Sequence, residues 1–455
     1  MTQYRSINPA TEEDVASEPS LNLQDSLSLL NKSKEAFQTW SQSSFFDRAR
    51  LLHSVADQLE AQLEKLATTI TLEMGKTITE SKSEILKSAH CARYFADHGE
   101  TFLAPVSLES DARSSYVQHP PLGPLLGILP WNFPFWLAFR FLAPALMAGN
   151  SVLIKPDPHL PACSKLLLNI FKNASAPEGL LELLPIDHTT IAELIAHPDV
   201  RGVSFTGSSL AGQKVGGLAG QHIKPLVLEL GGSDPAIVLA DANLEAAAKA
   251  IAQSRCVNNG QSCIATKRII LEAPIHDRFI ELLQKELETY TLGDPLLDST
   301  KIGPLARRDL LDKLHQQVEA TISEGATLRL GGTPLPGLGY FYPVTLLTDT
   351  TTEMTACREE TFGPVAVTLK AGSLEDAISI ANATEYGLAA SIWTQSDRGA
   401  SIAHRIEAGQ VVVNGVVKTD PRLPSGGIKN SGLGRELGPQ GILEFVNTQQ
   451  VWLGP

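Results

Sequence analysis

From Ser151 onward, short apolar runs alternate with longer segments of helical spacing. The apolar runs are SVLIKP, GLLELLP, RGVSFTG and KPLVLEL, and the segments between them are ACSKLLLNIFKN, TTIAELIAH and SLAGQKVGGLAG. Strands that alternate with helices form a parallel sheet with helices on its faces, so this pattern predicts an α/β fold. Ligands of such sheets bind beyond the carboxyl ends of the strands, which places Lys155, Gly207 and Glu229 near one crevice.

A second alternating block follows the glycine-rich segment GGSDP at residues 231–235. It predicts strands at PAIVLA and RIILE and helices at 244–254 and 276–290. Amphipathic helices are predicted over most of the first hundred residues, and SYVQHPP at 115–121 predicts a short extended segment. A chain of 455 residues is long enough for two or three domains.

The segment 122–149 is long and apolar enough to raise the question of a membrane span, since Arg140 is its only charge. Four prolines in it would each remove a helical hydrogen bond that lipid cannot replace, and Asn132 and Arg140 would need polar partners there. We therefore predict a buried strand, a turn and a helix, and no membrane contact.

Composition narrows the class of partner and the setting. A formal charge of −13 without a long basic run argues against nucleic-acid binding and favours a small-molecule substrate. The five cysteines lie far apart, which predicts reduced thiols, and the first residues lack the pattern of a signal peptide. We expect a cytoplasmic protein.

Three local patterns carry candidate chemistry. CVNNGQSC at 256–263 offers Cys256 and Cys263, each of which is a nucleophile or a small buried side chain. Glu229 ends an apolar strand, where it is a general base of raised pKa or a paired structural carboxylate. SFTGSSLAG joins a strand to a helix start at Ser208, a geometry that suits a phosphate. No zinc or G-x-S-x-G motif competes with these, so we predict no metal.

Six motifs in order along the chain resemble the aldehyde dehydrogenase superfamily. They are PWNFPFW (130–136), FTGSSLAG (205–212), LELGG (228–232), NNGQSC (258–263), EETFGPV (359–365) and GGIKNSGLGRELG (426–438). The resemblance implies a Rossmann-type cofactor domain (1–102 and 122–230), an α/β catalytic domain (231–430) and a small β oligomerisation arm (103–121 and 440–455). It also implies a homodimer or homotetramer.

The resemblance assigns roles to individual residues. Cys263 is the nucleophile and Cys256 a bystander, Glu229 activates water, and Asn132 with the Cys263 backbone N–H stabilises an oxyanion. Glu436 matches a glutamate associated with the water or proton route. The residues expected to contact the cofactor are Trp131, Lys155, Ser208, Ser209, Leu230, Glu360 and Phe362.

Departures from the family pattern bear on the cofactor. Lys155 is followed by Pro-Asp-Pro, so Pro158 stands where a glutamate usually opposes a 2′-phosphate, and Asp157 lies just before it. Because Asp157 restores a negative charge beside the ribose, we predict NAD, with NADP possible.

Other features bear on the substrate. LELGGSDPAIVL and TDPRLPSGGIKNSG resemble bacterial succinate-semialdehyde dehydrogenases that use NAD or NADP, and Arg140 lies where these carry an arginine for the substrate carboxylate. A second family arginine is Val257 here, so Arg255 and Arg422 are the candidates to replace it. The alternatives are a dehydrogenase of another aldehyde and a cofactor-independent cysteine thioesterase or esterase.

Overall fold

The computed structural model describes residues 3–395 and 397–454. Its strands are β1 (Gln3–Ile7), β2 (Asp14–Pro19), β3 (Val106–Ser107), β4 (Ser114–Gln118), β5 (Pro124–Ile128), β6 (Ser151–Lys155), β7 (Leu181–Leu183), β8 (Gly202–Thr206), β9 (Leu226–Glu229), β10 (Pro235–Val238), β11 (Arg268–Glu272), β12 (Thr327–Leu330), β13 (Thr345–Thr348), β14 (Val365–Ala371), β15 (Tyr386–Gly387), β16 (Ala389–Trp393), β17 (Gln410–Val413), β18 (Ile428–Lys429), β19 (Gly432–Leu433) and β20 (Gln449–Leu453).

The helices cover the faces of these strands. They are α1 (Leu23–Trp40), α2 (Phe45–Ala61), α3 (Leu63–Met74), α4 (Ile78–Leu103), α5 (Trp136–Ala148), α6 (Pro161–Asn173), α7 (His188–Ala196), α8 (Ser209–Gln221), α9 (Leu244–Cys256), α10 (His276–Leu287), α11 (Arg308–Ser323), α12 (Thr355–Arg358), α13 (Leu374–Asn382), α14 (Arg398–Ala403) and α15 (Gly438–Leu443). Short 3-10 turns span Val257–Gly260 and Ala273–Ile275.

Two sheets form the centre of the molecule. The first has the order β19-β9-β8-β5-β6-β7 and is parallel except for β19. The second has the order β12-β13-β14-β11-β10-β16-β17 and is parallel except for β12. The predicted α/β fold is therefore confirmed, and the chain passes from one sheet to the other across 230–234, where GGSDP interrupts the apolar pattern.

The apolar segment 122–149 contains the buried strand β5, a turn and the helix α5, as predicted. Every residue of α5 is buried, and the helix ends at Gly149, whose φ of 101° is readily accessible to glycine. No helix in the described part of the chain is long and apolar enough to cross a membrane. The apolar run is explained by burial on all sides within the protein.

Among the described residues, three small β elements lie outside the main sheets, and one of them is the antiparallel pair β15–β18. β3, β4 and β20 form a three-stranded antiparallel sheet from the segments predicted to be an arm. The hairpin β1–β2 was not predicted, because QYRSI is polar and its burial shows only in the fold. Tyr4 is fully buried there, and its hydroxyl donates to the Ile186 carbonyl at 3.0 Å.

A buried ion pair fixes the start of α5. Glu84 of α4 pairs with Lys76 and accepts hydrogen bonds from the backbone N–H groups of Phe135 and Trp136 at 2.8 and 3.1 Å. A carboxylate at a helix N-terminus satisfies N–H groups that have no partner within the helix. Glu84 thus holds the turn that carries Asn132.

Candidate active site

One large cavity of about 1750 Å³ receives side chains from both sheets. Lys155, Gly207 and Glu229 line it at the carboxyl ends of β6, β8 and β9, as the strand pattern predicts. The other residues singled out from the sequence that line it are Trp131, Asn132, Arg140, Ser208, Ser209, Leu230, Cys263, Glu360 and Phe362.

The loop that carries Cys263 is held in place by its neighbours. Asn258 and Asn259 adopt left-handed conformations with φ of 57° and 56°, which asparagine tolerates better than most residues. The Asn259 side chain donates to two backbone carbonyls and accepts from the Gly303 N–H at 2.8 Å. The buried Lys267 ammonium donates to the carbonyls of Ser262 and Cys263 at 3.1 and 2.7 Å. These contacts preorganise the loop.

Cys263 and Cys256 differ in access. Cys256 is 1% exposed and does not line the cavity, whereas Cys263 is partly exposed and does. Burial raises the pKa of Cys263 to about 12, although the charges of Arg140 and Lys267 act in the opposite direction. The Cys263 side chain is therefore a thiol at neutral pH and needs a base to become a nucleophile.

Two donors lie beside Cys263. The Asn132 side-chain amide donates to the Gln261 carbonyl at 3.2 Å, which uses one of its two N–H bonds. The backbone carbonyl of Asn132 accepts from the Asn258 side chain at 3.0 Å, so this turn is tied to the cysteine loop. Within the described ranges, the Cys263 backbone N–H has no protein acceptor. Both groups have capacity to stabilise an oxyanion.

Arg140 lies between two carboxylates. Its Nη2 is 3.1 Å from Glu229 Oε2 and 2.6 Å from Glu436 Oε2, and all three side chains are 4% exposed. Glu229 Oε1 and Arg140 Nε have no hydrogen-bond partner in the described part of the chain. Gly426 packs close to the free oxygen, because a Cβ there would lie 2.9 Å from Glu229 Oε1. Glu436 itself does not line the cavity.

Burial and these ion pairs together determine the pKa values of Glu229 and Arg140. Burial raises the pKa of Glu229 to about 7; Arg140 opposes this shift and the negative charge of Glu436 adds to it. Burial disfavours the charge on Arg140, but Glu436 and Glu229 outweigh it and raise the pKa of the guanidinium. A carboxylate that titrates near neutrality in the same cavity as the Cys263 thiol is suited to general base catalysis.

Further residues of the cavity are suited to hold a dinucleotide. Ser208 caps the 13-residue helix α8 and lines the cavity, so the positive end of the helix lies at the cavity wall. A Cβ on Gly231 would collide with Glu360, and the glycine lets Glu360 accept from the Gly232 N–H at 3.1 Å. Phe362 packs edge-on against Trp131 with ring centroids 5.6 Å apart. This combination of a helix start, a carboxylate and aromatic walls suits phosphate, ribose and ring groups.

Arg255 and Arg422, the candidates for a second substrate contact, do not line the cavity. Arg255 is fully buried and donates to the carbonyls of Thr266, Gly260 and Gly363. Arg422 is exposed and pairs with Asp420. Their proximity in sequence to the motifs did not bring either guanidinium to the site, so the structure does not support a substrate role for them.

Lys87 is a cavity residue that the motifs did not indicate. α4 contributes Glu80, Ser83, Glu84 and Lys87 to the cavity wall. Their spacings of three and four place them on one helical face. No clear signal for this stripe is visible in the sequence, because α4 also carries polar residues on other faces, such as Lys82 and Arg93. Among the described residues, no group of three or more His, Cys, Asp or Glu side chains is arranged to hold a metal ion.

Comparison with known proteins gives a consistent result. The aldehyde dehydrogenase family model matches residues 1–451. A Synechocystis protein named probable succinate-semialdehyde dehydrogenase [NADP(+)] is 44% identical over 448 residues, which cover 98% of this chain and 99% of that protein. Succinate-semialdehyde dehydrogenase [NADP(+)] 1 of Mycobacterium ulcerans is 42% identical over 452 residues, with 98% and 99% covered.

A solved structure agrees with these relatives. Succinic semialdehyde dehydrogenase from Streptococcus pyogenes, in complex with NADP+, superimposes with a TM-score of 0.97 at 32% identity. The match covers 99% of this chain and 100% of that one.

Replacement of Arg255 tests its structural role. Arg255→Met leaves the buried carbonyls of Thr266 and Gly260 without a donor, whereas the Gly363 carbonyl keeps the Val365 N–H. We expect the free energy of unfolding to fall by about 3 kcal/mol, since each unsatisfied buried group costs about 1–3 kcal/mol. Urea unfolding measures this change, and Arg422→Met is the control with an unchanged midpoint. Wild-type stability combined with weaker substrate binding in Arg255→Met would instead restore its substrate role.

Proposed function

This chain belongs to the aldehyde dehydrogenase family, and we propose that it oxidises succinate semialdehyde to succinate with a nicotinamide dinucleotide as the hydride acceptor. The observation that carries the chemistry is the meeting of Cys263, Glu229 and Asn132 in one cavity. The choice of succinate semialdehyde as the substrate is supported by the names of the full-length relatives.

The side chains divide the reaction between them. Glu229 accepts the thiol proton of Cys263, and the thiolate forms a bond to the aldehyde carbon. The carbonyl oxygen becomes an anion, which the Asn132 amide and the Cys263 N–H stabilise. A nicotinamide dinucleotide held by Lys155, Ser208 and Glu360 would supply the hydride acceptor, and loss of the hydride from the former aldehyde carbon would leave a thioester on Cys263.

Glu229 then acts a second time. Once the thiol proton has passed from Glu229 to solvent, the carboxylate takes a proton from water, the oxygen attacks the acyl carbon, and the carbon–sulfur bond breaks to release the acid and the thiolate. A pKa of about 7 leaves a large fraction of Glu229 ionised at neutral pH, as both proton transfers require. The protonated Glu229 then returns its proton to the Cys263 thiolate, which restores the thiol and the carboxylate for the next turnover.

For the cofactor, we propose a preference for NADP over NAD. The sequence favours NAD through the charge of Asp157, but this carboxylate accepts from both the backbone and the ring of His159, at 2.9 and 2.7 Å. Its charge is therefore partly balanced within its own turn, and Pro158 adds none. Lys155 lines the same cavity. The relatives named above carry NADP(+) in their names.

We also propose that the chain assembles with copies of itself through the β3–β4–β20 sheet. Val106, Trp452 and Leu453 in this small sheet are 52%, 47% and 40% exposed, and exposed apolar side chains at a sheet edge favour pairing. Sedimentation velocity is expected to give a dimer or tetramer, and a monomer would exclude this assembly.

The five cysteines are free thiols, which supports a cytosolic setting that cell fractionation can check.

An aldehyde panel assayed with both cofactors tests the reaction. Purified protein is expected to reduce NADP with succinate semialdehyde at a kcat/KM at least 10-fold above that for butanal, and Cys263→Ala is expected to abolish turnover. Equal rates on both aldehydes would indicate a general aldehyde dehydrogenase, and ester hydrolysis without cofactor would indicate the hydrolase. A higher kcat/KM with NAD would overturn the cofactor preference alone.

The pH profile tests the role of Glu436. Its charge raises the pKa of Glu229, so Glu436→Gln is expected to move the acidic limb of the kcat–pH profile to lower pH, because Glu229 then ionises more readily. Glu182→Gln, which changes a carboxylate on β7 away from the cavity, is the control with an unmoved limb. An upward shift or no shift in Glu436→Gln would exclude electrostatic coupling between the two carboxylates.

A further inference from the structure

Lys87 presents a cation to the cavity that has no anionic partner. Its ammonium donates to the Thr419 hydroxyl at 2.8 Å and lies 4.0 Å from the centre of the Trp136 ring. Within residues 3–395 and 397–454 it forms no ion pair with a carboxylate, unlike Lys76 and Lys82, which precede it in the chain and pair with Glu84 and Glu64. A half-buried lysine held by one hydroxyl and an aromatic face retains the capacity to bind an anion.

Arg140 alone is poorly placed to provide the positive charge that a carboxylated substrate needs. It already pairs with Glu229 and Glu436, so the three side chains together carry one net negative charge when all are ionised. An incoming carboxylate would compete with both glutamates for the guanidinium and would be repelled by their charge. A second cation at the same wall changes this balance.

Lys87 and Arg140 lie on the same cavity wall. α4 and α5 pack against each other, Trp136 is one turn before Arg140 on α5, and Lys87 rests on the Trp136 ring. The residues Trp136, Arg140, Thr419 and Cys263 line the cavity together with Lys87. We propose that the Lys87 ammonium, beside Arg140, binds the distal carboxylate of the aldehyde substrate and sets the preference for a carboxylated chain. This inference rests on the proposed function.

The protonation of Lys87 agrees with this placement. Burial, and then the charge of Arg140, lower its pKa to about 8, while Cys91, Glu84 and Asp420 oppose the shift. The amine is mainly protonated at pH 7, and a bound carboxylate would stabilise the protonated form further. We therefore expect the KM for succinate semialdehyde to rise as the pH passes 8, whereas the KM for a neutral aldehyde has no such dependence on Lys87.

Substrate discrimination in four variants tests the proposal. The readout is the ratio of kcat/KM for succinate semialdehyde to kcat/KM for butanal, a neutral aldehyde of the same chain length. Lys87→Met is expected to lower this ratio about 10- to 100-fold, the range of a charge-assisted hydrogen bond, and Lys87→Arg is expected to restore most of it. Lys82→Met, on the same helix but paired with Glu64 outside the cavity, is the matched control with an unchanged ratio.

A purely structural role for Lys87 would have a different signature. If the ammonium only ties Thr419 to α4, Thr419→Val would lower the ratio as far as Lys87→Met does, or both aldehydes would lose activity equally. Either result overturns the proposal. Calorimetric titration with succinate gives a second readout that needs no turnover, and Lys87→Met is expected to weaken its binding by the same factor.

The design separates this inference from the proposed function. A wild-type enzyme that does not discriminate between the two aldehydes would overturn both. A wild-type enzyme that prefers succinate semialdehyde, together with Lys87→Met that retains the same preference and the same succinate affinity, would overturn only the role of Lys87.

Discussion

The ion pairs of Arg140 with Glu229 and Glu436 join three parts of the chain at the centre of the site. Arg140 comes from α5, Glu229 ends β9, and Glu436 lies in the segment that pairs with Ser425. Each charge is costly to bury alone, so removing any one of the three side chains would destabilise the packing of the segments that carry them. The same contact that closes the structure also sets the pKa of the base, and it ties the chemistry of Glu229 to the packing of distant segments.

Much of the fold could be predicted because the residues that are buried in strands and helices give the sequence a regular pattern of apolar positions. β5, β6, β8 and β9 are apolar runs of strand length, and β10 and β11 repeat the pattern beyond 231–235. Cys263, Glu229 and Asn132 were found through motifs. Asn132 and Glu229 lie at the carboxyl ends of β5 and β9, as the rule for parallel sheets predicts, whereas Cys263 comes from the loop before β11. Local sequence left Cys256 and Cys263 equivalent, whereas burial separates them.

The sequence could not show which polar groups compensate each other. Arg255 stands near the cysteine loop in sequence, but its partners are three backbone carbonyls, and such partners leave no pattern of residue types. The β1–β2 hairpin was missed for a related reason, since Tyr4 is buried against backbone carbonyls rather than against an apolar strand. Pairing over long sequence distances is a property of the fold, and local periodicity does not encode it.

Charge in the cavity has to meet two demands that conflict. A base that activates thiol and water must keep a negative charge close to Cys263, while a carboxylated substrate must be attracted to the same space. The Arg140 guanidinium alone cannot fully meet both demands, because the glutamates it pairs with reduce its attraction for a substrate carboxylate. Lys87 on α4 resolves the conflict, because it places a second positive charge on the cavity wall beside Trp136. In the described part of the chain this ammonium forms no ion pair with a protein carboxylate. Arg140 then remains available to hold Glu229 and Glu436, so the base and the substrate carboxylate can be ionised together.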